Sequence, residues 1–92
     1  MAFRDQPGAN RRNGFQIFVN NLQGQAIPFD VYPDTDVMGL KDMIFRRFGV
    51  AVGNQRLLYG GSQLNDGDTM EYLGIRMGMQ ATIHLVLRVH GG

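Results

Sequence analysis

The chain has 92 residues, of which 43% are apolar and 18% are charged, and its formal net charge is +1. This length supports one hydrophobic core and the apolar content is too high for a disordered chain, so we predict a single soluble, monomeric domain. The balanced charge argues against a dedicated nucleic-acid binder, and no uncharged run approaches the ~18 residues that a membrane span needs.

Residues 1–14 are predicted to form a disordered N-terminal arm. They include three arginines, one aspartate and one proline, and only four apolar side chains. A secretory signal would need an apolar stretch of about 7 to 15 residues behind its charges, and the arm has none. We therefore expect the protein in the cytoplasm, the nucleus or both, with the arm as a solvated tail.

The first folded element is predicted to be a β-hairpin. Apolar side chains recur at every second position from Phe15 to Val19 and again from Ile27 to Val31, which is the period of a strand with one buried face. Turn-forming residues at 21–24 separate the two runs. Pro28 has no backbone N–H to donate, so the second strand is expected at the edge of the sheet.

One main helix is predicted to follow the hairpin. Asp36 can cap its first turn and Gly49 can end it in a left-handed conformation, with Val50 making an apolar contact beyond the cap. The inner stripe, at spacings of three and four, consists of Val37, Leu40, Lys41, Ile44 and Phe48. Lys41 is the only lysine of the chain, and we expect it to pair with a carboxylate such as Asp66.

Shorter elements complete the predicted fold. Residues 56–59 and 63–64 are expected as a third and a fourth strand, residues 69–73 as a short helical turn closed by Gly74, and residues 82–89 as a long last strand. A hairpin, a helix that crosses back over it and a final strand beside the first give a mixed sheet covered on one face. The predicted fold is α+β: a β-grasp arrangement whose mixed sheet packs on one main helix.

The sequence has no recognisable catalytic or metal-binding set. The two histidines, His84 and His90, have no other plausible ligand at a zinc-like spacing, and the chain has no cysteine. Gly60-Gly61 lacks the lysine and the serine or threonine of a phosphate-binding loop. We therefore expect a protein that is not an enzyme and that needs no metal or other cofactor.

The C-terminus is a candidate functional segment. The last strand runs almost directly into Gly91 and Gly92, whose lack of side chains would let a carboxylate-bearing tail enter a narrow slit. Fraying of a terminal strand is the simpler interpretation of the same residues.

The outer face of the sheet is a second candidate. Alternation along the last strand predicts one buried set, namely Ile83, Leu85, Leu87 and Val89. The opposite, outward set is Thr82, His84, Val86 and Arg88. In the third strand either Leu58 or its neighbours must also face water. If Leu58 does, an exposed docking patch forms, with Arg56 and Arg88 at its rim. We call Leu22, Leu58, His84 and Val86 the outer-face patch.

The chain resembles ubiquitin from Phe15 to Gly92. Its start, FQIFV, is similar to that of ubiquitin, and QRLLY at 55–59 and QLNDGDT at 63–69 are similar to two later ubiquitin segments. IHLVLR at 83–88 and the terminal diglycine resemble the last strand and C-terminus of ubiquitin. The resemblance implies a ubiquitin-like β-grasp domain over residues 15–89 and a flexible tail at 90–92, with the arm as an extension.

The resemblance also implies a covalent function. In the ubiquitin family an activating enzyme adenylates the terminal glycine carboxylate with ATP, and the acyl group then passes as a thioester between enzyme cysteines to a target lysine. Gly92, beside Gly91, would be the acyl donor, and these enzymes and the target proteins would be partners. Residues expected to contact the activating enzyme are Leu87, Arg88, Val89, His90 and Arg56. Arg88 matches the position that separates ubiquitin from its close relative Nedd8, which implies a ubiquitin-type activating enzyme, whereas His90 replaces the family's arginine.

Two further features follow from the resemblance. The outer-face patch matches the main recognition patch of ubiquitin residue for residue, which implies ubiquitin-binding domains as partners. Positions of the usual chain-forming lysines hold other residues here, namely Asn20, Gln25, Met43, Arg47 and Ser62, and one further position of the set falls near Met77. Only Lys41 remains, and it is expected to be paired with a carboxylate. Lysine-linked chains are therefore not expected.

The residues leave other functions open. A non-covalent interaction module would use the outer-face patch while the tail is incidental. A sulfur carrier would bear a thiocarboxylate on the same diglycine, as related β-grasp proteins do. RNA binding would use arginines of the arm and the helix, namely Arg11, Arg12, Arg46 and Arg47.

Overall fold

The computed structural model describes residues 14–88, which form one mixed sheet and one main helix. In chain order the elements are β1 (Phe15–Asn20), β2 (Ala26–Val31), α1 (Val37–Phe48), a 3-10 turn (Val52–Asn54), β3 (Gln55–Tyr59), β4 (Ser62–Gln63) and β5 (Thr82–Leu87). The predicted hairpin, helix and later strands occur in this order. The predicted arm before Gly14, and Val89, His90, Gly91 and Gly92, lie outside the described residues.

The sheet has the strand order β2-β1-β5-β3-β4, so the last strand of the chain lies in its middle. β5 is parallel to β1 and antiparallel to β3. β2 is an edge strand, as Pro28 predicts, and Pro28 lies opposite Phe18 of β1. This mixed sheet packed on one helix confirms the predicted β-grasp architecture.

The hydrophobic core lies between the sheet and α1. Alternate strand residues supply one side of it, and the helix supplies the other with Val37, Leu40 and Ile44, all fully buried. The strand residues of the core are Phe15, Ile17, Val19, Phe29, Val31, Leu57, Ile83 and Leu85. Each strand therefore has one inner and one outer face, as the period of two predicts.

Both ends of α1 are fixed by the residues expected there. Asp36 Oδ1 accepts a hydrogen bond from the backbone N–H of Gly39 at 2.7 Å. Gly49 has a φ of 77° and donates its N–H to the carbonyl of Phe45. Val50 packs against the core just beyond this cap. The left-handed conformation at the end of the helix explains why glycine occupies that position.

Lys41, the only lysine of the chain, has a largely buried side chain. Lys41 Nζ lies 2.8 Å from Asp66 Oδ1, and the lysine side chain is only 12% exposed. The pair was predicted, and it joins the middle of α1 to the loop before β5. The backbone reinforces this junction, because Met38 donates its N–H to the carbonyl of Asp66 at 3.0 Å. α1 has 12 residues, and no helix in the described part of the chain is long and apolar enough to cross a membrane.

Gln55 is a buried polar residue that the apolar pattern does not predict. It opens β3 and is only 2% exposed. Its Nε2 donates hydrogen bonds to the carbonyls of Lys41 and Val50, both at 2.9 Å. Its Oε1 has no hydrogen-bond partner among residues 14–88. The amide thus connects the helix to the segment that follows it, at the cost of one buried unpaired oxygen.

Several predicted element boundaries were wrong. β5 ends at Leu87 rather than at residue 89, and β3 begins one residue earlier than expected, at Gln55. β4 is shifted to Ser62–Gln63 because Leu64 turns into the core. Residues 69–73 form a hydrogen-bonded turn, in which Leu73 donates its N–H to the carbonyl of Thr69, and Gly74 follows with a φ of 78°.

The predicted burial of Leu87 was also wrong, since its side chain is 51% exposed. Leu87 lies opposite Gln55, the first residue of β3, so β5 has reached the end of its neighbouring strand at this point. Leu85, two residues earlier on the same side of β5, is 4% exposed and marks the limit of the core. Side-chain alternation gives the face of a strand but not where the core beneath it stops.

Candidate functional site

The outer face of the sheet is formed by the strand residues that do not enter the core. In β5, Ile83 and Leu85 are buried, and between and beyond them His84 is exposed and Val86 half-buried. In β3, Leu57 is fully buried and Leu58 is half-buried on the other face. The alternative that sequence reasoning left open is therefore settled, with Leu58 facing outward.

Strand register brings the outer residues of β3 and β5 together. Leu58 lies opposite His84, and Arg56 lies opposite Val86. Directly opposite residues of an antiparallel pair have Cβ atoms about 4.5–5.5 Å apart, so these four side chains form one block. Three of the four predicted patch residues therefore lie together, and Arg56 lies beside them.

Leu22 belongs to a different element, the turn between β1 and β2. Its side chain is 44% exposed. The turn follows Asn20, which is the β1 neighbour of His84 in the parallel ladder. Leu22 also lines a surface cleft together with Leu85 of β5. Leu22 thus follows the end of β1 that lies next to β5, and the cleft it lines is on the core side of the sheet, so strand register does not join it to Leu58, His84 and Val86 as it joins those three to one another.

His84 has a side-chain partner that sequence reasoning missed. Asn20 Nδ2 lies 3.3 Å from His84 Nδ1. The contact joins His84 of β5 to β1 through its ring, and the tautomer of the ring sets which of the two side chains donates the hydrogen bond. No local sequence pattern indicates this contact, because the two residues are far apart in the chain and meet only through the parallel pairing of β1 and β5.

The backbone is held by a hydrogen bond just beyond the end of β5. Arg88 donates its backbone N–H to the carbonyl of Asn54 at 2.7 Å, just after β5 ends. Leu87 and Arg88 are both exposed there. Arg56, in β3, follows Asn54 by two residues and is also exposed. Of the predicted activating-enzyme contacts, these three are placed at one end of the sheet. Val89 and His90, like the diglycine, are not among the described residues.

A surface cleft of about 310 Å³ lies between the hairpin turn and the C-terminal end of α1. It is lined by turn residues 21–23, by Arg47 and Phe48 of the helix, and by Val50 and Leu85. We call it the turn–helix cleft. Sequence reasoning did not predict it, because its walls come from segments far apart in the chain. Within residues 14–88, no group of three or more His, Asp or Glu side chains is arranged to hold a metal ion.

A five-stranded mixed sheet on one helix, with an exposed patch on its open face, is the architecture of the ubiquitin-like β-grasp proteins. The sequence matches the Ubiquitin family over residues 17–90, and the chain belongs to this family. The resemblance noted in the sequence is thereby confirmed.

Relatives of this chain include both small and large proteins. Ubiquitin-like protein NEDD8 of Dictyostelium discoideum is 32% identical over 76 residues, which cover 83% of this chain and 96% of that protein. Ubiquitin-like protein 1 of Schizosaccharomyces pombe is 33% identical over 76 residues, with 83% and 95% coverage. Ubiquitin domain-containing protein DSK2 of Saccharomyces cerevisiae is 39% identical over 57 residues, which are 62% of this chain but only 15% of DSK2.

Proposed function

We propose that this protein is a ubiquitin-like modifier that is attached to lysines of target proteins through Gly92 and is recognised through its outer-face patch. The observation that carries the proposal is the geometry of β5. This one strand presents His84 and Val86 on the open face and leads, beyond its anchor on Asn54, to the diglycine. Similarity to NEDD8 and to Ubiquitin-like protein 1 over nearly their whole lengths supports it.

The proposed chemistry begins at the Gly92 carboxylate. Attack of a carboxylate oxygen on the α-phosphorus of ATP forms an acyl adenylate and releases pyrophosphate. A cysteine thiolate of the activating enzyme then displaces AMP to give a thioester, and a target lysine amine finally displaces the thiol to give an amide. Glycine at both terminal positions leaves the acyl carbon unshielded at each step, because no Cβ stands beside it.

We assign the activating-enzyme contact to the end of the sheet from which the tail leaves. Leu87 offers an apolar side chain that is 51% exposed, and Arg56 and Arg88 add two exposed cations. An enzyme surface with an apolar pocket and carboxylates would complement this end. Val89 and His90 would continue the contact toward the diglycine. In this proposal the protein supplies recognition and the acyl group, while the enzymes supply all catalysis in the cytoplasm or nucleus.

The outer-face patch is suited to reversible binding by ubiquitin-binding domains. Burying about 300 Å² of mostly apolar surface there gives roughly 7 kcal/mol before association costs are subtracted. The lost translational and rotational freedom of two proteins removes much of this gain. Weak binding of individual domains follows, and the exposed ring of His84 adds a group that can form a directional hydrogen bond within the apolar surface.

A second function, a ubiquitin-like interaction module that is not conjugated, is favoured by a different observation. DSK2 carries its match to this chain within only 15% of its length, so the family includes domains that occur inside larger proteins. Such a module would use the outer-face patch in the same way and would make no use of the carboxylate of Gly92.

A thioester assay separates the two functions. The purified protein is incubated with ATP and a ubiquitin-activating enzyme, in parallel with a Nedd8-activating enzyme, and thioesters are detected by their sensitivity to reducing agent. A variant lacking Gly92 is the matched control. We expect a thioester with the full chain and none with the control. No thioester with either enzyme, from a folded protein whose patch still binds a ubiquitin-binding domain, would favour the interaction module.

A further inference from the structure

We propose that the turn–helix cleft binds a peptide segment of a partner protein in which a leucine or phenylalanine side chain lies next to a carboxylate. The cleft volume of about 310 Å³ is at the lower end of the range of about 300–1,000 Å³ for ligand pockets. This space suits one or two side chains rather than a cofactor. The inference goes beyond the proposed function, because it holds whether or not Gly92 is conjugated.

Apolar side chains lie at the base of the turn–helix cleft, beneath a polar rim. Leu85 is 4% exposed, and Phe48 and Val50 are half-buried and pack against the core. The ring of Phe48 is held by Phe29, with ring centroids 5.8 Å apart in an edge-to-face arrangement. A leucine or phenylalanine of the partner would therefore meet a preformed surface and would not have to order it first.

The turn wall of the cleft is also preorganised. Asn21 Oδ1 accepts hydrogen bonds from the backbone N–H groups of Gln23 and Gln25, at 3.0 and 2.8 Å. The following Gly24 has a φ of 83°, which closes the turn. In contrast to Asn21, the side-chain amide of Gln23 makes no hydrogen bond within residues 14–88. It can therefore pair with polar groups of a bound peptide backbone.

The charge beside the cleft indicates which group should lie next to the leucine or phenylalanine of the peptide. Arg47 makes no ion pair with any carboxylate of the described chain, whereas the neighbouring Arg46 binds Asp42 at 2.9 Å. Among residues 14–88, no acidic side chain lines the cleft. The Arg47 guanidinium carbon lies 5.8 Å from the centroid of the Phe29 ring, which helps to hold it beside the cleft. A guanidinium that has no carboxylate partner within residues 14–88 and that lies beside apolar side chains is complementary to a carboxylate that follows or precedes an apolar side chain.

The experiment uses three short peptides and NMR of the ¹⁵N-labelled full chain. The probe is acetyl-DELFE-amide. One control, acetyl-NQLFQ-amide, removes the carboxylates, and the other, acetyl-DEAAE-amide, removes the apolar side chains. We expect the probe to shift the amide resonances of Gln23, Phe48 and Val50, and both controls to bind at least about tenfold more weakly, since loss of one charge pair or one apolar anchor is worth a factor of that order.

Adjacent arginines provide the matched protein variants. Arg47→Glu is expected to weaken binding of the probe by about tenfold or more, while Arg46→Glu changes it by less than about twofold, because Arg46 is already neutralised by Asp42. Arg47→Gln removes the charge without reversing it, and it replaces Arg47→Glu in the binding experiment if the glutamate variant perturbs the fold. The spectra themselves report folding. Each variant is also tested for thioester formation, which these changes should leave intact.

Four results would overturn the inference. The first is the absence of shifts at millimolar probe, and the second is equal binding of the probe and its uncharged control. The third is a set of shifts centred on Leu58 and His84 instead of the cleft. The fourth is stronger binding at the same resonances by a single-stranded RNA oligomer, which would assign Arg47 to nucleic acid. A wild-type protein that binds the probe at the cleft but forms no thioester would refute the proposed conjugation alone.

Discussion

Replacing Gln55 with glutamate keeps the size of the side chain but converts the Nε2 donor into an oxygen. In the native protein that donor serves the carbonyls of Lys41 and Val50, both at 2.9 Å, from a side chain that is 2% exposed. The ionised carboxylate loses both hydrogen bonds, at about 1 kcal/mol each, whereas the protonated carboxyl keeps one O–H donor for one of the two carbonyls. Burial also opposes ionisation and raises the pKa of the new carboxyl, which would cost a further ~2–4 kcal/mol at pH 7.

The expected total of about 4–6 kcal/mol is comparable to the whole stability of a small domain. It is measured by urea denaturation of Gln55→Glu and wild type across pH, with Gln63→Glu on the exposed β4 as a control that should change stability by less than about 0.5 kcal/mol. The folded-state pKa of the introduced carboxyl is raised, so the ionisation part of the penalty is absent below the unfolded value of about pH 4, grows as pH rises, and levels off above the folded value.

A loss below about 1 kcal/mol at pH 7, or a difference from wild type that does not change with pH, would show that the position is not buried in solution as described.

Two further substitutions test the helix cap and the outer-face patch. Asp36→Ala removes the acceptor for Gly39 and should lower the free energy of unfolding by about 1 kcal/mol. Asp42→Ala breaks only an exposed helical ion pair and should lower it by no more than about 0.5 kcal/mol. Chemical denaturation compares the two variants, and equal effects would contradict the capping role. Leu58→Ala should weaken a ubiquitin-binding domain by about tenfold or more in calorimetry. Phe45→Ala, at a residue 46% exposed on α1, should leave that affinity unchanged, and the reverse ranking would place the binding surface on the helix.

The parts of the fold that could be predicted from sequence are those fixed by neighbouring residues. Alternation located the strands because side chains of a strand point to opposite faces, and Asp36 and Gly49 marked the ends of α1 because their side-chain chemistry and backbone freedom suit those positions. The Lys41–Asp66 pair was also predictable, since an inward-facing lysine needs a carboxylate.

The features that could not be predicted depend on contacts between distant segments. Gln55 has no apolar pattern to mark it as buried, and its two acceptors belong to the helix and to the segment after it. Leu87 follows the inward alternation of β5 but lies beyond the point where the core covers the sheet. The turn–helix cleft exists because the hairpin turn and the end of α1 meet in the folded chain. The residues of the outer-face patch could be predicted from side-chain alternation and from the resemblance. The position of Leu58 opposite His84 is given only by the strand register of the folded protein.

The hydrogen bond from Arg88 to Asn54 determines how closely an attached protein would be held. It is the last backbone hydrogen bond within residues 14–88, Gly92 follows four residues further on, and four residues span at most about 14 Å when fully extended. A target joined at Gly92 would therefore lie within that distance of the end of the sheet that carries Val86 and Arg56. A receptor docked on the outer-face patch would meet the surface of the target at the same time, at a high effective concentration. So short a tether would make the modifier and its target one composite binding surface, and receptors could distinguish which protein had been modified.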